Sequence, residues 1–181
     1  LYAAGISVPL SIKLEEANDL YFRLWHAEVT TIFISPTQIH KIRAIRDRLP
    51  LLKRVIIFGD KIKAEQEGEM LLSDVVALGE KWLTEHKEEL ISLSQSIQND
   101  DYATITYTSG TTADPKGVVL THRNYTSNVE QALTRINIPS GWRTLIILPL
   151  DHCFAHVAGF YIMIARGATV ATTQVGATPM E

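Results

Sequence analysis

The chain has 181 residues, 46% of them apolar and 20% charged, an ordinary globular balance that excludes a disordered polyelectrolyte. The 17 Lys and Arg against 20 Asp and Glu leave a formal charge of −3, which excludes a strongly basic nucleic-acid binder. The single cysteine, Cys153, excludes a disulfide framework and a Cys-based zinc finger, and makes a reducing, cytoplasmic compartment the expectation.

In chain order, the apolar run at residues 5–10, closed by Pro9, predicts a strand. Residues 14–28 carry Ala17, Leu20, Tyr21 and Leu24 on one helical stripe. Residues 30–35, β-branched and aromatic, form a second strand. Ser35-Pro36 starts a helix with Pro near its first position, and Ile39, Ile42, Ile45 and Leu49 mark its apolar face up to Pro50. Residues 53–58 predict a strand turned by Gly59-Asp60. Residues 61–69 are charged and without period, a surface loop. A long helix follows over 71–93, with Leu71, Leu72, Val75, Val76, Leu78, Trp82 and Leu83 as its apolar face.

Residues 102–108 predict a strand. Thr121 is a candidate N-cap for a helix whose Val129, Ala132, Leu133 and Ile136 keep helical spacing. A buried-type strand over 144–150, a helix over 157–165 ended by Gly167, and a strand over 168–173 complete the series. Strands alternating with helices predict an α/β fold of βα units with a mainly parallel sheet and right-handed crossovers. The longest apolar run, at 157–165, falls short of the roughly 18 residues a membrane-spanning helix needs. The first residue is Leu, the opening reads as mid-strand and residues 175–181 bring no closing element, so residues 1–181 are expected to be part of a longer protein.

One segment carries chemistry: Thr104-Ile105-Thr106-Tyr107-Thr108-Ser109-Gly110-Thr111-Thr112-Ala113-Asp114-Pro115-Lys116-Gly117. It begins as a strand and is expected to end just before a helix. Ligands of α/β sheets gather off the carboxyl ends of strands, so the position suits a site. The hydroxyls of Thr108, Ser109, Thr111 and Thr112 flank Gly110, which lets a backbone approach a ligand closely. Successive N–H groups in such a turn can cradle an anion, and Lys116 adds a mobile positive charge. Together these suit a polyphosphate, while a Ser/Thr-rich surface turn is the plain alternative. A Walker A loop is excluded, because Pro115 stands at its second glycine position and Gly117 follows the lysine.

The run Tyr107-Thr108-Ser109-Gly110-Thr111-Thr112-x-x-Pro115-Lys116-Gly117 resembles the signature loop of the adenylate-forming, AMP-binding superfamily. Asp100 to Ile105 before it, Gly117 to Asn124 after it and the opening Leu1 to Leu10 are similar to the surroundings of that loop. Leu148-Pro149-Leu150-Asp151-His152-Cys153-Phe154 is similar to the acyl-pocket strand of long-chain fatty-acid CoA ligases. Ala113 stands where family members usually have Gly. The resemblance implies a partial N-terminal domain of an acyl-CoA synthetase-like fold, since the family's downstream aromatic-Gly-x-Thr-Glu segment, ribose-binding Asp and C-terminal-domain Lys do not occur in the chain. It implies a parent enzyme that uses ATP, Mg²⁺ and CoA to activate a fatty acid through acyl-AMP. Thr108, Ser109, Gly110, Thr111, Thr112 and Lys116 would bind the nucleotide phosphates. Lys116 and His152 would be catalytic, with His152 near the reacting carboxylate. Neither a metal ligand among the chain's residues nor a nucleic-acid partner is implied.

Two further enzyme-or-module alternatives stay open: an adenylation domain that loads a carrier protein, and a non-catalytic nucleotide-binding module. His152 and His156 stand four apart, as metal ligands on a helix do, but Cys153 occupies the place of the Glu in H-E-x-x-H. A structural histidine is the other alternative for His152, and Cys153 reads as a small buried hydrophobe. The basic run Lys41, Arg43, Arg46, Arg48, Lys53 and Arg54 reads as the solvated face of a helix and leaves a peripheral membrane contact open.

Overall fold

The computed structural model describes residues 5–11, 13–59, 62–108, 115–147, 150 and 154–172. Helix α1 (Ala17–His26) precedes strand β1 (Thr31–Ile34), a 3₁₀ turn at Pro36–Gln38, helix α2 (Ile39–Arg43) and a second 3₁₀ turn at Arg46–Arg48. Strands β2 (Arg54–Ile57) and β3 (Glu69–Leu71) lead into the long helix α3 (Leu72–Ser96). Then come β4 (Tyr102–Tyr107), β5 (Gly117–Thr121), α4 (His122–Leu133), β6 (Arg143–Ile146), a π-helical segment at Ala155–Tyr161, α5 (Ile162–Ala165) and β7 (Thr169–Thr172).

Parallel pairing dominates, as the alternation of elements predicts: β1 with β2, β2 with β3, and β6 with β7. Among the described residues the strands form three separate sheets, β1-β2-β3, β4-β5 and β6-β7. The β4–β5 pair is antiparallel, with Tyr107 opposite Gly117. Ser7 lies along the other edge of β4 in parallel register with Thr104, its N–H donating to Ala103 C=O and its C=O accepting from Ile105 N–H, both at 2.9 Å.

The first core is built by the spacings read above. Leu20 and Leu24 of α1 meet Ile34, Ile39, Ile42, Ile45, Leu49, Leu52, Val55 and Ile57. Val55 and Ile57 have no exposed surface, because β2 is the middle strand, covered by neighbours on both edges. The expected helix over 36–49 is broken into a short α-helix between two 3₁₀ turns, with Ile45 at φ −121°. Three β-branched isoleucines at spacing three fit a 3₁₀ turn as well as an α-turn, so burial of the stripe survives the break. A second core gathers Val129 of α4, Ile138 and Ile162 of α5.

Four further expectations are corrected. Residues 69–71 form strand β3 and not the end of a surface loop; the strand is too short to show a period. The apolar face of α3 is not part of the described core: Val76, Leu78, Trp82 and Leu83 are exposed, and the helix kinks at His86 (φ −120°). Helix α4 ends at Leu133, which leaves Ile136 outside it and exposed. Residues 155–161 wind as a π-helix before α5 begins, where an ordinary helix over 157–165 is expected, and Gly167 takes φ +63° beyond it as a helix-terminating glycine should.

Candidate functional site

The motif strand β4 runs from a tightly held base. Asp100 receives Arg123 in a two-pronged pair, Nε to Oδ1 at 2.7 Å and Nη2 to Oδ2 at 3.0 Å. The guanidinium hydrogen bond holds the Asp100 carboxyl below its usual pKa and raises that of Arg123. Asp101 accepts from Gln98 N–H at 2.7 Å. The first amides of α4 reach back to the same turn, His122 N–H to Asp101 C=O and Arg123 N–H to Asn99 C=O. The Thr121 cap is confirmed as a capping box: its side chain accepts from Asn124 N–H, and the Asn124 side chain accepts from Thr121 N–H.

The loop itself leaves and re-enters a hairpin. The expectation of a helix directly after it is corrected, because β5 intervenes and pairs back along β4. Thr108 N–H donates to Lys116 C=O at 3.0 Å, so the two ends of the loop are tied at one point. Thr108 and Lys116 are both exposed. A Cβ on Gly117 would stand 3.0 Å from Ile105 Cγ2 and 3.4 Å from Cε1 and Cζ of Tyr107. A side chain at this last glycine of the motif would press on the Ile105 methyl and come into van der Waals contact with the Tyr107 ring. Of the remaining expected site residues, Ser109, Gly110, Thr111, Thr112 and His152 lie outside the described residues, as do Ala113 and Cys153.

Behind the loop, β4 is linked to the helices that follow. The Thr104 hydroxyl is 2.9 Å from Tyr125 OH on α4. The Tyr125 ring meets Tyr161 edge-on at 5.3 Å, and His156 lies 6.0 Å from the Tyr161 ring. Burial pushes the Tyr161 hydroxyl pKa up, and so does the neighbouring Tyr125. This chain of rings connects the motif strand to the segment that begins just after Cys153. A cavity of about 1050 Å³ lies between residues 5–11 and β1, walled by Ile6, Val8, Leu24, Ile32 and Phe58; it meets β4 at Ile105 and does not include Thr108 or Lys116.

Two clusters escape sequence reasoning. Tyr107 at the root of the loop is hydrogen-bonded to His26 of α1 at 2.8 Å, and no local pattern joins residues so far apart. Arg43 and Arg46, expected on a solvated face, instead hold the 62–69 segment. Arg43 grips both oxygens of the buried Glu69, at 2.9 and 2.7 Å, and Glu65 at 2.6 Å, while Arg46 donates to Glu67 C=O. Of the rest of that basic run, Lys41 donates to Leu14 C=O and Arg48 lies 3.8 Å over the Tyr21 ring. No helix of the described residues is long and apolar enough to cross a membrane.

Comparison with known proteins agrees with the family that the motif resembles. A family model described as AMP-binding enzyme matches residues 1–180. The medium-chain acyl-CoA ligase ACSF2, mitochondrial, of Danio rerio is 35% identical over 133 residues, 71% of this chain and 20% of that protein. The long-chain-fatty-acid–CoA ligase ACSBG2 of Xenopus laevis is 26% identical over 172 residues, 92% of this chain and 23% of that protein. The chain therefore spans about a fifth of the length of the curated relatives it matches. In fold it is similar to the anthranilate CoA ligase AuaEII in complex with anthranoyl-AMP, with a TM-score of 0.71 at 18% identity over 95% of this chain and 31% of that one. The N-terminal domain of FACL13 from Mycobacterium tuberculosis gives 0.61 at 23% identity over 93% and 37%. With a family match over nearly its whole length, the chain belongs to the AMP-binding enzyme family.

Proposed function

We propose that this chain is part of the large N-terminal domain of an acyl-CoA ligase that activates a fatty acid. In the first step a carboxylate oxygen attacks the α-phosphorus of ATP and pyrophosphate leaves. In the second the CoA thiol attacks the acyl carbon, its proton is released and AMP leaves. The observation that carries this reading is the loop closed by Thr108 and Lys116: a stretch holding Ser109, Gly110, Thr111 and Thr112 departs from and returns to one hydrogen bond, with the exposed Lys116 beside it. Such a loop suits the β- and γ-phosphates, whose charge must be steadied while pyrophosphate departs. Thr108 begins the cradle, and His152 orients the reacting carboxylate.

Among the described residues no group of three His, Cys, Asp or Glu is placed to hold a metal ion. Mg²⁺, when bound with ATP, would help neutralise the phosphate charge that Thr108, Ser109, Thr111, Thr112 and Lys116 would hold. The names of the relatives support CoA over a carrier protein as acyl acceptor. The 148–154 block and the Xenopus laevis relative support a long acyl chain, and the ACSF2 relatives a medium one. The lone cysteine supports a cytoplasmic location, and the Danio rerio relative's name a mitochondrial one.

The test is pyrophosphate exchange with ATP and fatty acids of graded length in the full-length protein. Lys116→Ala and Thr111→Ala each remove a donor to charged phosphate and should slow adenylation by about tenfold to a hundredfold. Thioester formation from supplied acyl-AMP should suffer less. Equal losses in both half-reactions refute a phosphate role. The 181-residue chain alone should stay at background in the same assay.

A further inference from the structure

The Tyr107 ring ends β4, one residue before the loop, and lies across Gly117 at the loop's other root. Its hydroxyl reaches out of the hairpin to the last turn of α1. There His26 Nδ1 stands 2.8 Å away and the backbone carbonyl of Arg23 3.3 Å away. A phenol has one proton to give, so both contacts are hydrogen bonds when His26 Nδ1–H donates to the Tyr107 oxygen and the Tyr107 O–H donates to the Arg23 carbonyl. Phe22 lies flat on the His26 imidazole, with centroids 5.3 Å apart and planes at 20°. The same Phe22 meets Tyr107 edge-on at 6.5 Å. The Arg23 guanidinium carbon is 5.8 Å from the centre of the Tyr107 ring, and its Nη1 is held by the Asp19 carbonyl at 2.9 Å.

Packing accounts for Phe22 and for the Tyr107 ring. It does not account for the imidazole, because His26 is exposed and water would satisfy it as well. What the hydrogen bond adds is direction. It fixes the hydroxyl end of a ring whose other end is the backbone that turns into Thr108, and whose Cε1 and Cζ atoms lie beside Gly117, the residue after Lys116.

We infer that His26 is a positioning residue for the phosphate loop, acting through Tyr107. The imidazole pins the ring, and the ring sets Thr108 and Lys116 at the spacing a polyphosphate requires. The inference rests on the nucleotide reading of the loop proposed above, and it requires no contact between His26 and the nucleotide.

The experiment uses the full-length protein and three conservative variants. His26→Phe keeps the stack on Phe22 and removes the N–H. Tyr107→Phe keeps the ring over Gly117 and removes the hydroxyl. His26→Asn returns a donor close to the Nδ1 position. The readouts are hydrogen exchange at the Thr108 amide, which is bonded to Lys116 C=O, and the KM for ATP in pyrophosphate exchange. His26→Phe and Tyr107→Phe should each speed Thr108 exchange and raise the ATP KM by about threefold to tenfold, the usual effect of one lost hydrogen bond. The double variant should be no worse than Tyr107→Phe alone, since that substitution already removes the His26 bond together with the one to the Arg23 carbonyl. His26→Asn should stay within about twofold of wild type. Unchanged Thr108 exchange in both single variants, or effects that add in the double, overturns the inference. Lys116→Ala, measured alongside, separates the failures. A raised ATP KM in Lys116→Ala with an unmoved one in His26→Phe sinks the positioning role alone. An unmoved ATP KM in Lys116→Ala sinks the nucleotide reading, and this inference with it.

Discussion

Removing the Arg43 guanidinium, as in Arg43→Met, should unfasten β3. The Glu69 side chain is 1% exposed and takes both of its strongest hydrogen bonds from Arg43. Two weaker ones come from the Glu65 and Gln66 amides, at 2.8 and 3.2 Å. Chiefly through the Arg43 hydrogen bond, and against the opposing effect of burial, the carboxyl is held down from its usual 4.5 to about 2. A folded-state pKa below the unfolded one means stability that is fully present above about pH 4.5 and lost as pH falls through about 2. The shift corresponds to about 3 kcal/mol at neutral pH. Arg43→Met leaves a buried carboxylate with two amide donors, so the loss should be about 2–4 kcal/mol, somewhat short of the full cost of stranding a charge. Adding Glu69→Gln to the variant should restore part of it, because an amide needs no counter-charge. The assay is urea unfolding followed by circular dichroism between pH 7 and pH 2. Wild type should lose stability steeply below about pH 4.5, and Arg43→Met should show a shallower slope from a lower start. A loss under about 0.5 kcal/mol at pH 7, with the acid slope unchanged, would refute the argument.

Three smaller perturbations test other parts of the chain. In the full-length protein, His152→Ala should lower the adenylation kcat by about tenfold to a hundredfold with little change in thermal stability; a large stability loss at normal specific activity would assign this histidine a structural role. Glu28 is a non-glycine residue at φ 51° just past α1, so Glu28→Gly should stabilise by about 1 kcal/mol, read as a raised melting temperature; an unchanged or lowered one counts against strain at this position. Thr121→Ala removes the acceptor of the capping box on α4 and should cost about 1 kcal/mol in the same melting experiment, and no cost would mean that the tie to residues 99–101 carries the helix start alone.

What the sequence discloses is local. Ile39, Ile42, Ile45 and Leu49 are all buried, because spacing alone dictates which side chains share a face. The Thr121 cap and the Gly167 terminator are equally legible, since each acts within a turn of its own position. The β4–β5 hairpin is not legible. Residues 117–121 carry two valines, a leucine and a threonine, all at home in a strand, but the helical spacing that follows hides the boundary. Glu69 is hidden for another reason: a charged residue reads as solvated until the arginine that neutralises it is known to be near. The motif fixes the place of the loop, whereas the two groups that grip its root, His26 and the Arg23 carbonyl, come from a helix that shares no pattern with it.

The route by which β4 is held has a kinetic side. The strands β1, β2 and β3 can find one another across short stretches of chain, and α1 and α2 supply the rest of their core from the same region. β4 must instead capture Ser7 and His26 from the start of the chain, the second contact spanning 81 residues. Closing a loop of that length costs about 1 kcal/mol more than the β1–β2 closure, and it comes without reward until both partners are already ordered. Distant pairings of this kind slow folding. The α1–β3 region should therefore gain protection first in a refolding time course, with the root of the loop among the last parts of the chain to set.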